Sequence, residues 1–89
     1  MIAATVTTVT TTPTLLLTAS RGYASYRQHV TVRNNSSLTD VHLGPAGVTA
    51  ATGLILGPAQ SLSFPLSGVD QLYAITPSGT APVSIFTTT

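Results

Sequence analysis

Apolar and polar residues alternate with a period of two along most of this chain, and no stretch carries a sustained helical stripe free of Gly and Pro. The pattern predicts an all-β protein. In "RQHVTVR", Gln28, Val30 and Val32 share one face, while Arg27, His29, Thr31 and Arg33 share the other. In "DVHL", Val41 and Leu43 oppose Asp40 and His42. Pairing the two segments across "NNSSLT" sets Val32 against Val41, Val30 against Leu43 and Arg33 against Asp40, so one register satisfies both faces of a hairpin.

A second hairpin is expected from "QLYAIT", the turn "PSGT" and "APVSIFT", with Ile75 against Val83 and Leu72 beside Phe86. Both of its faces are apolar, which predicts a central position or a face covered by another subunit. In "SLSFPL", Leu62, Phe64 and Leu66 point inward and Ser61 and Ser63 outward, and Pro65 marks an edge strand or a bulge. "TLLLTAS" and "YASYRQ" around "RG" read as strand, turn and strand. The corners "GPAG", "AATG" and "GPAQ" separate short strands at "VHL", "LIL" and "SLSF". Residues 1–13 form either a first strand or an N-terminal arm that adds to a neighbour's sheet, and the scarcity of large apolar groups there favours the arm. Residues 14–89 then make a single domain, a small antiparallel β-sandwich or jelly-roll-like barrel of about seven to eight short strands.

Composition narrows what such a domain does. At 89 residues the core is near the lower limit for independent stability, and the absence of Cys removes disulfides and thiolate metal sites. Oligomerisation or docking is the leading remaining source of stability. Three Arg, two Asp and no Lys or Glu make 6% charged residues, against about 25% in an ordinary domain, so the polar surface rests on 17 Thr and 9 Ser. Three cations are too few for a phosphate-tracking stripe, which excludes nucleic acid as an expected partner. No apolar run approaches the roughly 20 residues of a membrane span, and the N-terminus lacks the basic start of a signal peptide. The chain therefore reads as soluble and unprocessed. Two overlapping Asn-x-Ser triplets begin at Asn34 and Asn35 and read as a polar turn.

Catalytic material is sparse. Asp40 and His42, with His29 if the first hairpin holds, are the only acid, base or metal-ligand grouping. An Asp40–Arg33 pair with a solvated or interfacial His42 accounts for the same residues more simply. No nucleophile elbow or phosphate loop exists, and Asp70 reads as a turn residue, so neither enzyme activity nor a cofactor is expected. The remaining cluster is Arg21, Tyr23, Tyr26, Arg27, His29 and Arg33. It holds every cation and two of the three Tyr, the planar donor-bearing residue types that anchor protein interfaces, and it is the candidate contact surface. Ordinary solvation of strand ends is the competing account of it.

The succession "VTVRNNSS", "VHLGPAGVTAATGLIL", "GPAQSLSFPL" and "DQLYAITPSGTAPVSI", from Val30 to Phe86, resembles the small β-sandwich head decoration, or cement, proteins of tailed bacteriophages. The chain departs from that pattern at Pro58–Ala59, where a "PG" turn is expected, and at Pro45 directly after "LG". The resemblance implies a non-enzymatic protein of the capsid exterior, made in a bacterial cytoplasm, that binds between major capsid protein subunits as a homo-oligomer, commonly a trimer. A tail-fibre or adhesin-type recognition module, with Tyr23, Tyr26 and Tyr73 stacking on sugars, is the alternative it leaves open.

Overall fold

The computed structural model describes residues 2–18, 27–67 and 71–88. Among these residues lie eight strands: β1 (Ile2–Val9), β2 (Thr14–Thr18), β3 (Arg27–Asn34), β4 (Val41–Gly44), β5 (Leu54–Leu56), β6 (Ser61–Ser67), β7 (Gln71–Ile75) and β8 (Ala81–Thr88). They form two four-stranded sheets, ordered β1-β8-β3-β6 and β2-β7-β4-β5, with every pairing antiparallel. Consecutive strands change sheet at every step except β4 to β5, which is the strand order of an eight-stranded jelly roll. The all-β sandwich expected from the alternation is the fold.

The period-two pattern sets the core. Val9, Val30, Val32, Ala81, Val83 and Ile85 project from the first sheet onto Leu16, Val41, Leu43, Leu56, Leu72 and Ala74 of the second. Each buried Val, Leu or Ile contributes on the order of 1.5–3 kcal/mol, and β-branched residues keep their rotamer on a pleated surface. Leu62 and Phe64 of β6 are partly buried against this core, while Ser61 and Ser63 face solvent, as the alternation predicts. Pro65 lies on an edge strand, where a missing donor breaks no ladder.

Two expected strand pairs are not neighbours. β3 pairs with β6 and β8, whereas β4 pairs with β5 and β7, so Val30 and Val32 meet Val41 and Leu43 across the sandwich rather than beside them. Arg33 accordingly stands beside Ser61 and Ser84, not opposite Asp40. β7 and β8 also sit in opposite sheets, so Ile75 does not pair with Val83 nor Leu72 with Phe86. Their two apolar faces follow instead from each being an inner strand of its own sheet. The physical reason is common to both: alternation states which side chains turn inward, and inward side chains are equally satisfied by a lateral or a facing partner. Of the strand, turn and strand expected over "TLLLTAS", "RG" and "YASYRQ", residues 19–26 lie outside the described residues.

Residues 2–9, the stronger part of the segment read as an arm or a first strand, are paired with β8 along all eight positions. Among its described side chains, Val9 is the one in the core. The β7–β8 arch is fastened to the β1–β2 arch through Thr76. Its N–H donates to the Thr10 carbonyl at 2.9 Å, and its buried hydroxyl donates to the Gly79 carbonyl at 2.8 Å.

Candidate interaction surface

Arg21, Tyr23 and Tyr26 of the expected contact cluster, and Asp70, lie outside the described residues. Arg27 opens β3, two positions before His29. Because Val30 and Val32 point into the core, His29, Thr31 and Arg33 line the outer face of the first sheet, where His29 and Arg33 are exposed. Register places His29 beside Thr88 and Pro65, Thr31 beside Phe86 and Ser63, and Arg33 beside Ser84 and Ser61. The Thr31 and Ser63 hydroxyls are 2.8 Å apart, and the Asn35 amide donates to the Ser84 hydroxyl. Phe86 is 43% exposed and Val6, next to Ser84, 66% exposed. The face is thus a guanidinium, an imidazole, a phenyl ring and a valine set among small hydroxyls.

The Asp40–His42–His29 grouping is not assembled. His29 is on the outer face of the first sheet, whereas His42 alternates with inward Val41 and Leu43 and so belongs to the outer face of the second. No group of three His, Cys, Asp or Glu among the described residues is placed to hold a metal ion. His42, expected to be solvated or interfacial, is buried in this chain, because the 45–53 loop folds back over it. Val48 is buried there, and a Cβ on Gly53 would stand 2.6 Å from the His42 Cβ, while one on Gly44 would stand 2.7 Å from the Val48 Cγ2. These two glycines make room for a side chain on the sheet. Gly47, with φ of 84°, supplies the left-handed corner between them. The His42 Nδ1 is buried without a hydrogen-bond partner among the described residues. Beside it, Ile55 of β5 is 60% exposed and Leu15, next to half-buried Tyr73, is also exposed, so this second outer face exposes apolar side chains too.

At the side where β5 and β6 face each other, Leu43, Gly44, Leu54, Leu62, Phe64 and Leu72 line an apolar groove of about 280 Å³. The corners between these strands are hydrogen-bonded as expected, from Val48 N–H to Pro45, from Thr52 and Gly53 N–H to Thr49, and from Gln60 N–H to Gly57. One of them departs from the usual chemistry: Ala59, after Pro58, has φ of 61° without being glycine.

The residue that sequence reasoning missed is Asn34. It is wholly buried, and its amide donates to the Thr39 carbonyl at 2.7 Å and to the Leu56 carbonyl at 3.0 Å, while its Oδ1 accepts from the Ser36 N–H at 3.0 Å. Its backbone exchanges hydrogen bonds with Gln60 and Ala59. Asn34 thereby ties the end of β3 to the crossing segment and to the end of β5, and holds the connection that sends β4 into the other sheet. The signal was present: Asn34 continues the inward phase of Val30 and Val32, and a polar group at an inward position must find partners. No protein-family model matches the sequence, and no curated protein matches it either.

Proposed function

We propose that this chain is a non-enzymatic structural protein of a virion, one that decorates a bacteriophage capsid and stabilises it by binding between major capsid protein subunits. The observation that supports this reading is the surface. Val6 and Phe86 on one outer face, and Leu15 and Ile55 on the other, are exposed apolar groups on a chain with only 6% charged residues. Such faces favour lasting contact with another protein over solvation. The jelly-roll order is compatible, since capsid and lectin domains both use it, but a fold alone selects no function. The phage assignment itself rests on the resemblance in the segment from Val30 to Phe86.

A protein that binds only the assembled shell stabilises it by mass action. The test is co-sedimentation of the purified protein with DNA-free phage heads and, separately, with isolated tails. The reading requires saturable binding to heads and a higher temperature of head disruption in its presence. Binding to tails alone, or to neither, refutes it.

A further inference from the structure

We propose that β1 is the self-association edge of this protein. The β1 strands of two copies pair antiparallel about a two-fold axis through Val6 and join two four-stranded sheets into one of eight strands. Among the described residues the sandwich has four edge strands without a second neighbour, β1 and β6 in the first sheet and β2 and β5 in the second. An open edge offers unpaired N–H and C=O groups to any passing strand, and folded proteins blunt such edges with proline, bulges or short length.

Three of the four are blunted. β6 carries Pro65 within its pairing with β3. β2 has five residues, with its register shifted between Leu15 and Leu17. β5 has three residues. β1 alone has none of these devices. It runs eight residues in unbroken register, from Ile2 against Thr88 to Val9 against Ala81, and contains neither proline nor a charged residue. Ala4, Thr5, Val6 and Thr8 are exposed and Thr7 is half-buried, so side chains of both alternating sets stand open along this strand.

The partner that fits is a second β1. A head-to-tail contact would press β1 against a blunted edge of the next copy, whereas an isologous contact pairs the one open edge with itself. The strand is also self-complementary. Thr5-Val6-Thr7 reads identically in both directions, so antiparallel pairing centred on Val6 sets Val6 against Val6, Thr5 against Thr7 and Ala4 against Thr8. These are β-branched and small cross-strand pairs with no like charges opposed. The arrangement is a dimer, in contrast to the trimer implied by the family resemblance, and it does not depend on the capsid reading.

Sedimentation equilibrium of the full chain over a concentration series tests it. The wild type should fit a monomer–dimer equilibrium, the dimer having twice the 9.1 kDa chain mass. Val6→Lys opposes two like charges at the axis and should raise the dissociation constant roughly tenfold or more, as should Val6→Glu. Val6 is exposed, so the denaturation midpoint of the dilute monomer stays unchanged in both variants. An equimolar mixture of the two should recover a dimer through opposite charges. A wild type that is monomeric throughout, a trimer, a Val6→Lys dimer as tight as wild type, or a mixture that fails to recover association would each overturn the proposal.

Discussion

Replacing Asn34 with alanine removes both carbonyl-directed donors and the acceptor of the Ser36 N–H, while the groups they served remain in place. The Leu56 bond is buried, and orphaning its carbonyl costs about 2 kcal/mol, within the roughly 1–3 kcal/mol typical of such groups. The Thr39 and Ser36 bonds are part-buried, and water recovers some of each, which leaves about 0.5–1 kcal/mol apiece. Together the loss is about 3–4 kcal/mol. At roughly 0.05–0.15 kcal/mol per residue, an 89-residue domain has about 4–13 kcal/mol in total, so this one amide carries a large fraction of the stability.

Urea denaturation followed by circular dichroism measures the effect, and with an m-value of about 1 kcal/mol/M the midpoint falls by about 3 M. The neighbouring Asn35 begins an identical Asn-x-Ser triplet but is exposed, so Asn35→Ala should cost less than about 1 kcal/mol. Asn34→Asp adds a pH signature. A buried carboxylate without donors for two carbonyls has its folded-state pKa raised above the unfolded value of about 3.9. That variant is least destabilised below about pH 3.9 and loses stability as pH rises through the folded-state value. If Asn34→Ala and Asn35→Ala lose the same stability, the buried amide does not hold the crossing between sheets and the reasoning fails.

Two further substitutions test the loops. Ala59→Gly relieves a left-handed residue, worth about 1–2 kcal/mol, and offsets part of that through unfolded-state entropy of about 0.4–1 kcal/mol, so it should stabilise by about 0.5–1 kcal/mol and raise Tm by about 4 °C in calorimetry. An unchanged or lower Tm means that the corner is not strained. Gly53→Ala forces a methyl to within 2.6 Å of the His42 Cβ and should cost about 2–3 kcal/mol by urea denaturation. Gly47→Ala meets nothing within 4 Å and should cost only the backbone term of about 1 kcal/mol. The opposite ranking would show that the 45–53 loop does not rest on His42.

Inward positions were legible because burial acts residue by residue. Val30, Val32, Val41, Leu43, Leu62 and Phe64 all face or pack on the core, as their alternation indicates. Corners were legible because glycine and proline act through local dihedral angles, and Pro65 located an edge because a missing donor is intolerable inside a sheet. Strand neighbours were not legible. The β3–β4 connection reads as a hairpin by pattern and is a crossing by structure, and what separates the two outcomes is a polar network at Asn34 that joins residues far apart in the chain. The cover over His42 was not legible for a related reason. The phase of His42 marks the outer face correctly, but only the fold of the 45–53 loop determines that this part of the face is covered. Of the candidate contact cluster, His29 and Arg33 share one outer face, as their spacing implies, while the arrangement of Arg21, Tyr23 and Tyr26 lies outside the described residues.

A charge-poor surface and a controlled set of edges belong together. In most domains like charges help to keep copies apart, alongside the devices that blunt edge strands. Here five charged residues in 89 provide little repulsion, and hydroxyl-rich strands such as β1 hydrogen-bond with one another readily. Edge geometry therefore has to supply the specificity that charge does not. Proline in β6, the bulge in β2 and the brevity of β5 each remove a route to uncontrolled sheet extension. With three routes blunted, the proposed pairing would use the fourth for a single two-fold contact and leave no edge to offer along that side of the sheet. Under the proposed pairing such a chain would associate to a definite size and keep the exposed apolar groups of its outer faces, Val6 and Phe86 on one and Leu15 and Ile55 on the other, for the further partner that the proposed function requires.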